Sequence, residues 1–199
     1  MGDVRVGSLG FQPVDTGAAK RHLRVDADDT TQDSVIETYV AAALEHAEEA
    51  TKRALAEQTR RLTLGAFPTD REGNDAPIVI PRPPLRSITS ITYRDADGAT
   101  QTLSPSSYVV DTSAFPGRVF LAPDASWPDT QANHPAAVTV DYLCGPELLD
   151  DVPARAVAAI LLTVGDLYEN REAQIVGTIV AENPTVTRLL STLRLVEAY

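Results

Sequence analysis

Residues 26–56 read DADDTTQDSVIETYVAAALEHAEEATKRALA and contain the clearest helical pattern of the chain. Polar residues that can cap a helix come first, at Asp28 to Thr31. Apolar side chains then recur at helical spacing, at Val35, Ile36, Tyr39, Val40, Ala43, Ala47 and Ala50. The spacing predicts a long amphipathic helix, whose apolar face has to pack against other elements of the chain.

A second long helix is predicted in the C-terminal third of the chain. We expect Asp150 or Asp151 to cap it, with Pro153 in its first turn, where the missing N–H costs nothing. Its apolar residues are again spaced for a helix, at Val157, Ile160, Leu161, Val164, Leu167 and Tyr168. The middle of this helix is apolar on nearly every side, so it is expected to be the central core helix.

Two short helices are predicted outside the long ones. Asp15 or Thr16 can cap the first of them, which reaches about Val25. The other begins at about Thr185 and continues to the end of the sequence. After Glu172, the stretch QIVGTIVAENP is apolar with a central glycine and is interpreted as a loop or an irregular strand.

From about Glu57 the apolar pattern changes to period two, which is typical of strands. The stretch TRRLTLGAFP places Leu62 and Leu64 on the same face as Arg60. Later, Asp97-Gly98 supplies a hairpin turn, and two short strands are expected around Phe115-Pro116-Gly117. The stretch AAVTVDYLCG adds one more strand, so an antiparallel β unit is predicted between the long helices.

The predicted fold class is α+β, a small helical bundle with an inserted antiparallel β unit. The bundle consists of two long helices plus short N- and C-terminal helices. Residues 1–14 lack periodicity and are expected to form a flexible N-terminal arm. Residues 15–199 are expected to form a single domain, helical at 15–56 and 150–199, with the β insertion at 57–144.

The charge balance disfavours a protein that grips nucleic acid. The formal net charge is −11, and between Val119 and Ala154 there are six acidic residues and no Lys or Arg. Binding to phosphates depends on Lys and Arg, so this surface would on average repel a polyanion. Double-stranded DNA could pass near such a surface without being held tightly.

No catalytic or cofactor-binding motif is present in the sequence. His22, His46 and His134 are isolated, so neither a metal site nor a cofactor is expected. The single cysteine, Cys144, follows an alternating strand pattern and is interpreted as a small buried hydrophobe rather than a nucleophile. Asp150-Asp151 could imitate paired catalytic carboxylates, but their position before Pro153 gives a sufficient capping explanation. We therefore do not expect an enzyme.

The order of these elements resembles the head-tail connector, or adaptor, family of long-tailed phages and gene transfer agents. The stretches that carry the resemblance are KRHLRVDADDTTQDSVIETYVAAALEHAEEAT, QTRRLTL, IVIPRPPLRSITSITYRDADGATQTL, SYVVDTSAFPGRVFLAP, VPARAVAAILLTVGDLYENRE and LLSTLRL. Each is a common helix or hairpin by itself. Their order and spacing over residues 13–197 produce the resemblance.

The resemblance implies a ring of twelve copies beneath the portal protein, which extends the DNA channel and offers a platform to the next neck, or stopper, protein. Such a protein would be located at the head-tail junction of a virion or phage-like particle assembled in the bacterial cytoplasm, with no membrane partner. Family members bind the portal largely through the C-terminal segment, here Pro184 to Tyr199. The expected portal-contacting residues are Leu189, Leu190, Leu193, Leu195, Val196 and Tyr199.

The C-terminal segment is expected to be mobile in the free protein, and the helical core is expected to fold without it. The opposite interpretation, that this segment closes the chain's own core, stays open. For the whole protein, two alternatives also stay open: a nucleic-acid-binding packaging subunit, and an enzyme with an unrecognised site.

Overall fold

The computed structural model describes residues 2–170 and 183–195, and the chain divides into two compact units. The β unit consists of Met1–Gly10 and Glu57–Pro146. The helical unit consists of Phe11–Ala56 and Glu147–Tyr199. Both units are therefore discontinuous in sequence, and the expectation of a single domain over residues 15–199 stays a prediction.

The helical unit contains four helices among its described residues. They are α1 (Thr16–Leu23), α2 (Asp33–Thr51), α3 (Ala154–Glu169) and α4 (Pro184–Ser191). The two long helices predicted from apolar spacing are α2 and α3, and both predictions are confirmed. The predicted cap of α1 is also confirmed, because the Asp15 carboxylate accepts a hydrogen bond of 2.6 Å from the Ala18 N–H.

Apolar side chains one helical turn apart form the core of this unit. On α2 they are Ile36, Val40 and Leu44, and on α3 they are Ala156, Ile160 and Val164, all buried. The two helices pack against each other along these rows. Burying each of the larger side chains stabilises the unit by about 1.5–3 kcal/mol before ordering costs.

The predicted caps of α3 are wrong in detail. A single 3₁₀ turn, Leu149–Asp151, comes first, and α3 begins only after Pro153. The Asp151 carboxylate accepts a hydrogen bond from the Leu148 N–H and closes this turn instead of capping the helix. Because the residue before a proline is disfavoured in helical geometry, Val152 is extended and separates the turn from the helix.

The β unit contains two antiparallel sheets. Its strands are β1 (Gly2–Arg5), β2 (Gln58–Leu64), β3 (Ile78–Ile80), β4 (Leu85–Arg94), β5 (Thr100–Thr102), β6 (Tyr108–Asp111), β7 (Gly117–Leu121) and β8 (Val138–Cys144). The order is β1-β2-β8-β4-β5 in the five-stranded sheet and β3-β7-β6 in the three-stranded sheet. The predicted hairpin is confirmed as β4–β5, and the two short strands predicted around Phe115-Pro116-Gly117 are confirmed as β6 and β7, which pair with each other.

Strand β8 is central in the five-stranded sheet and has the clearest alternation. Val138, Val140, Tyr142 and Cys144 are all buried, and the residues between them are half-buried. The prediction that Cys144 is a buried hydrophobe is therefore confirmed. Opposite β8, strand β2 places Leu62 on the buried face together with the polar side chains of Gln58 and Arg60.

The predicted fold class, a small helical bundle with an inserted antiparallel β unit, is wrong. The described residues form eight strands in two antiparallel sheets together with four helices, and the β unit takes about half of the chain. The β unit is also not an insertion between helices, because its first strand precedes α1. The fold is a mixed α/β arrangement with substantial sheet.

The N-terminal segment provides part of that sheet. Residues 1–14 were expected to form a flexible arm, but Gly2–Arg5 form β1, which pairs antiparallel with β2. The pairing continues in the Val6 N–H, which donates to the Thr59 carbonyl at 2.8 Å, and in the Gly10 N–H, which donates to the Glu57 carbonyl at 2.8 Å. The segment pairs with β2 through backbone hydrogen bonds and not through an apolar face. Its sequence therefore shows no apolar periodicity from which a strand could be predicted.

Candidate functional site

A buried ionic cluster fixes β1 at the edge of the five-stranded sheet. Asp3 lies opposite Leu62 in the register, so its carboxylate points to the buried face. The Arg60 guanidinium donates to this carboxylate, with Nη2 2.8 Å from Oδ2 and Nε 3.1 Å from Oδ1. The Tyr142 hydroxyl donates to Oδ1 at 2.8 Å, and Arg82 Nε lies 3.7 Å from Oδ2. Side chains from three other segments therefore meet at the Asp3 carboxylate.

The surroundings of the Asp3 carboxylate shift the pKa values of Arg60 and Tyr142. Burial opposes the charge on Arg60, but the hydrogen bond and the negative charge of Asp3 raise the pKa of Arg60 above its ordinary value. Burial, and then the charge of Asp3, raise the pKa of the Tyr142 hydroxyl far above its ordinary range. Tyr142 therefore stays protonated and remains a hydrogen-bond donor to Asp3.

Sequence reasoning did not identify the Asp3 cluster. The available signal was Arg60 on the same strand face as Leu62 and Leu64, because a cation on a buried face needs an anionic partner. The identity of that partner depends on the pairing of β1 with β2, which bridges 57 residues of sequence between Asp3 and Arg60.

The structure packs the predicted portal-contacting segment against its own helical unit. Leu190 and Leu193 are buried, together with Val186 of the same helix. Leu189 and Leu195 are half-buried. The two remaining predicted residues, Val196 and Tyr199, lie outside the described residues.

Three polar contacts hold α4 and the residues after it. Arg53 Nε donates to the Leu193 carbonyl at 2.6 Å, and the Leu195 N–H donates to the Thr51 carbonyl at 3.1 Å. Arg155 Nη1 also donates to the Thr192 hydroxyl at 3.0 Å. Residues 183–195 therefore belong to the helical unit, and among the described residues only Leu189 and Leu195 combine a predicted portal contact with partial exposure. The portal contact itself stays a proposal.

An exposed apolar surface lies on the three-stranded sheet. Val79 on β3, Val109 on β6 and Phe120 on β7 are 45 %, 54 % and 39 % exposed. Val109 is directly opposite Phe120 in the register, and Val79 is directly opposite Arg118. Asp111, two residues after Val109 on the same face of β6, is directly opposite Arg118. We call Val79, Val109, Asp111, Arg118 and Phe120 the outer sheet face.

The described residues contain no group of three or more His, Cys, Asp or Glu side chains that could hold a metal ion. His46 is exposed on α2, away from the buried rows of that helix. No helix within residues 2–170 and 183–195 is long and apolar enough to cross a membrane. The features that the structure brings together are an ionic cluster that anchors a strand and surfaces that can receive a partner.

Comparison with solved structures shows the same fold in particle neck components. A chain of the neck of an empty gene transfer agent particle, computed with C6 symmetry, aligns with a TM-score of 0.77 at 21 % identity, covering 100 % of this chain and 98 % of that chain. A chain of the virion of a native gene transfer agent particle aligns with a TM-score of 0.75 at 21 % identity and the same coverage. A chain of the neck of a native particle, computed with C12 symmetry, aligns with a TM-score of 0.72 at 20 % identity, again with the same coverage.

No family model matches this chain, and no curated protein matches it. The likeness in structure extends over the whole chain, and it shows that this chain shares its fold with components of phage-like particles. More particularly, two of the structures described above are of the neck of a gene transfer agent particle. The resemblance to head-tail connectors expected from the sequence is confirmed at the level of the fold.

Proposed function

We propose that this chain is a structural component of the neck of a phage-like particle, and more narrowly the adaptor that connects the capsid to the tail. The observation that carries the proposal is the match of the whole fold, at TM-scores of 0.72–0.77, to chains of gene transfer agent necks and virions. The same observation supports localisation in such a particle, and we propose the head-tail junction as the position.

The adaptor role requires identical copies arranged around a channel. Two of the matched necks were computed with C12 and C6 symmetry, which supports neighbouring copies of this chain in a ring. We propose a ring of twelve beneath the portal protein, with the next neck protein on its other side. Leu189 and Leu195, with Val196 and Tyr199, are the proposed portal contacts, whereas the burial of Leu190 and Leu193 assigns those two to the chain's own core.

The proposed role is non-enzymatic, and DNA passes through the ring without being held. The net charge of −11 and the absence of Lys and Arg from Val119 to Ala154 support this, because a surface that binds DNA needs a basic face. A packaging subunit that grips nucleic acid fits this charge distribution less well.

Deleting the gene tests the adaptor role directly. In the bacterium that encodes the chain, deletion is expected to yield capsids without tails, because the joint between the two is missing. Negative-stain electron microscopy of purified particles provides the measurement, and a plasmid copy of the wild-type gene is the control that should restore tailed particles. Tailed particles at normal numbers would refute the adaptor role, and tailed particles without DNA would favour the packaging subunit.

DNA binding by the purified chain is expected to be weak. Proteins that bind DNA non-specifically do so with Kd values on the order of 10⁻⁴–10⁻⁶ M at physiological salt, and this acidic chain should bind more weakly still. A mobility-shift titration with a linear duplex, repeated at low and physiological salt, measures the affinity. Submicromolar binding at physiological salt would contradict the expectation.

A further inference from the structure

We draw no further inference here: the strongest candidate, the outer sheet face of the three-stranded sheet, exposes apolar side chains, but its Arg118 lies directly opposite its own Asp111, and nothing within residues 2–170 and 183–195 shows what covers it.

Discussion

Replacing Asp3 by alanine is expected to lower the free energy of unfolding by about 2–4 kcal/mol. The variant leaves the buried Arg60 guanidinium without its carboxylate partner and removes the nearer acceptor of the Tyr142 hydroxyl, whose other acceptor is the Pro81 carbonyl at 3.2 Å. Breaking a buried pair on one side costs far more than the pair's net contribution, because the remaining charge is still desolvated. Urea unfolding, followed by circular dichroism, measures the loss, and hydrogen exchange should show faster exchange along β1.

The neighbouring arginine supplies the control. Arg61 pairs with Asp141 across β2 and β8, with Nε 2.7 Å from Oδ1, but both side chains reach solvent. Asp141→Ala should therefore cost less than about 1 kcal/mol, the usual range for an exposed ion pair. Equal losses for Asp3→Ala and Asp141→Ala would show that burial of the Asp3 cluster contributes nothing.

Replacing Leu190 by alanine is expected to lower the free energy of unfolding by about 2–4 kcal/mol. Leu190 is only 3 % exposed, so truncation of its side chain leaves a cavity within the helical unit. Its neighbour Leu189 is half-buried, and Leu189→Ala should cost less than about 1 kcal/mol because the shortened side chain leaves a site open to solvent. Thermal and urea unfolding of the two variants measure the difference.

The same pair of variants separates stability from docking. If Leu190→Ala leaves the stability unchanged, α4 does not belong to the core, and the interpretation of a mobile segment that orders on the portal is restored. If the loss occurs as expected, a chain truncated before Pro184 should be strongly destabilised. Leu189→Ala should then be the more informative variant for attachment to the portal, because it changes the surface while keeping the core.

The helices could be predicted from sequence because their signal is local. The rows Ile36, Val40, Leu44 and Ala156, Ile160, Val164 repeat every four residues, and a single helix turn brings each row onto one face. The extent of the β unit could not be predicted in the same way. Strands β3 and β5 have three residues each, too few to establish a period of two, and β1 has four.

The division into two sheets depends on which strands pair, and the sequence of a single strand does not determine its partner. Strand β3 is close in sequence to β4 but pairs with β7, where Ile80 is opposite Gly117.

The role of the C-terminal segment could be predicted only in part, for a similar reason. The apolar residues of α4 were identified from the sequence, but their spacing could not distinguish a helix that packs on its own chain from one that packs on a partner, because both need the same apolar face.

The discontinuity of both units has a consequence for synthesis on the ribosome. Helices α1 and α2 are made early, but α3 begins only at Ala154, roughly 100 residues after α2 ends at Thr51. At translation rates of about 5–20 residues per second, this delay lasts about 5–20 s. The β unit is complete once Pro146 has emerged and can therefore fold first. The apolar row of Ile36, Val40 and Leu44 stays uncovered on the nascent chain during that interval, which makes the unfinished helical unit, and not the larger sheet, the part that most needs a chaperone.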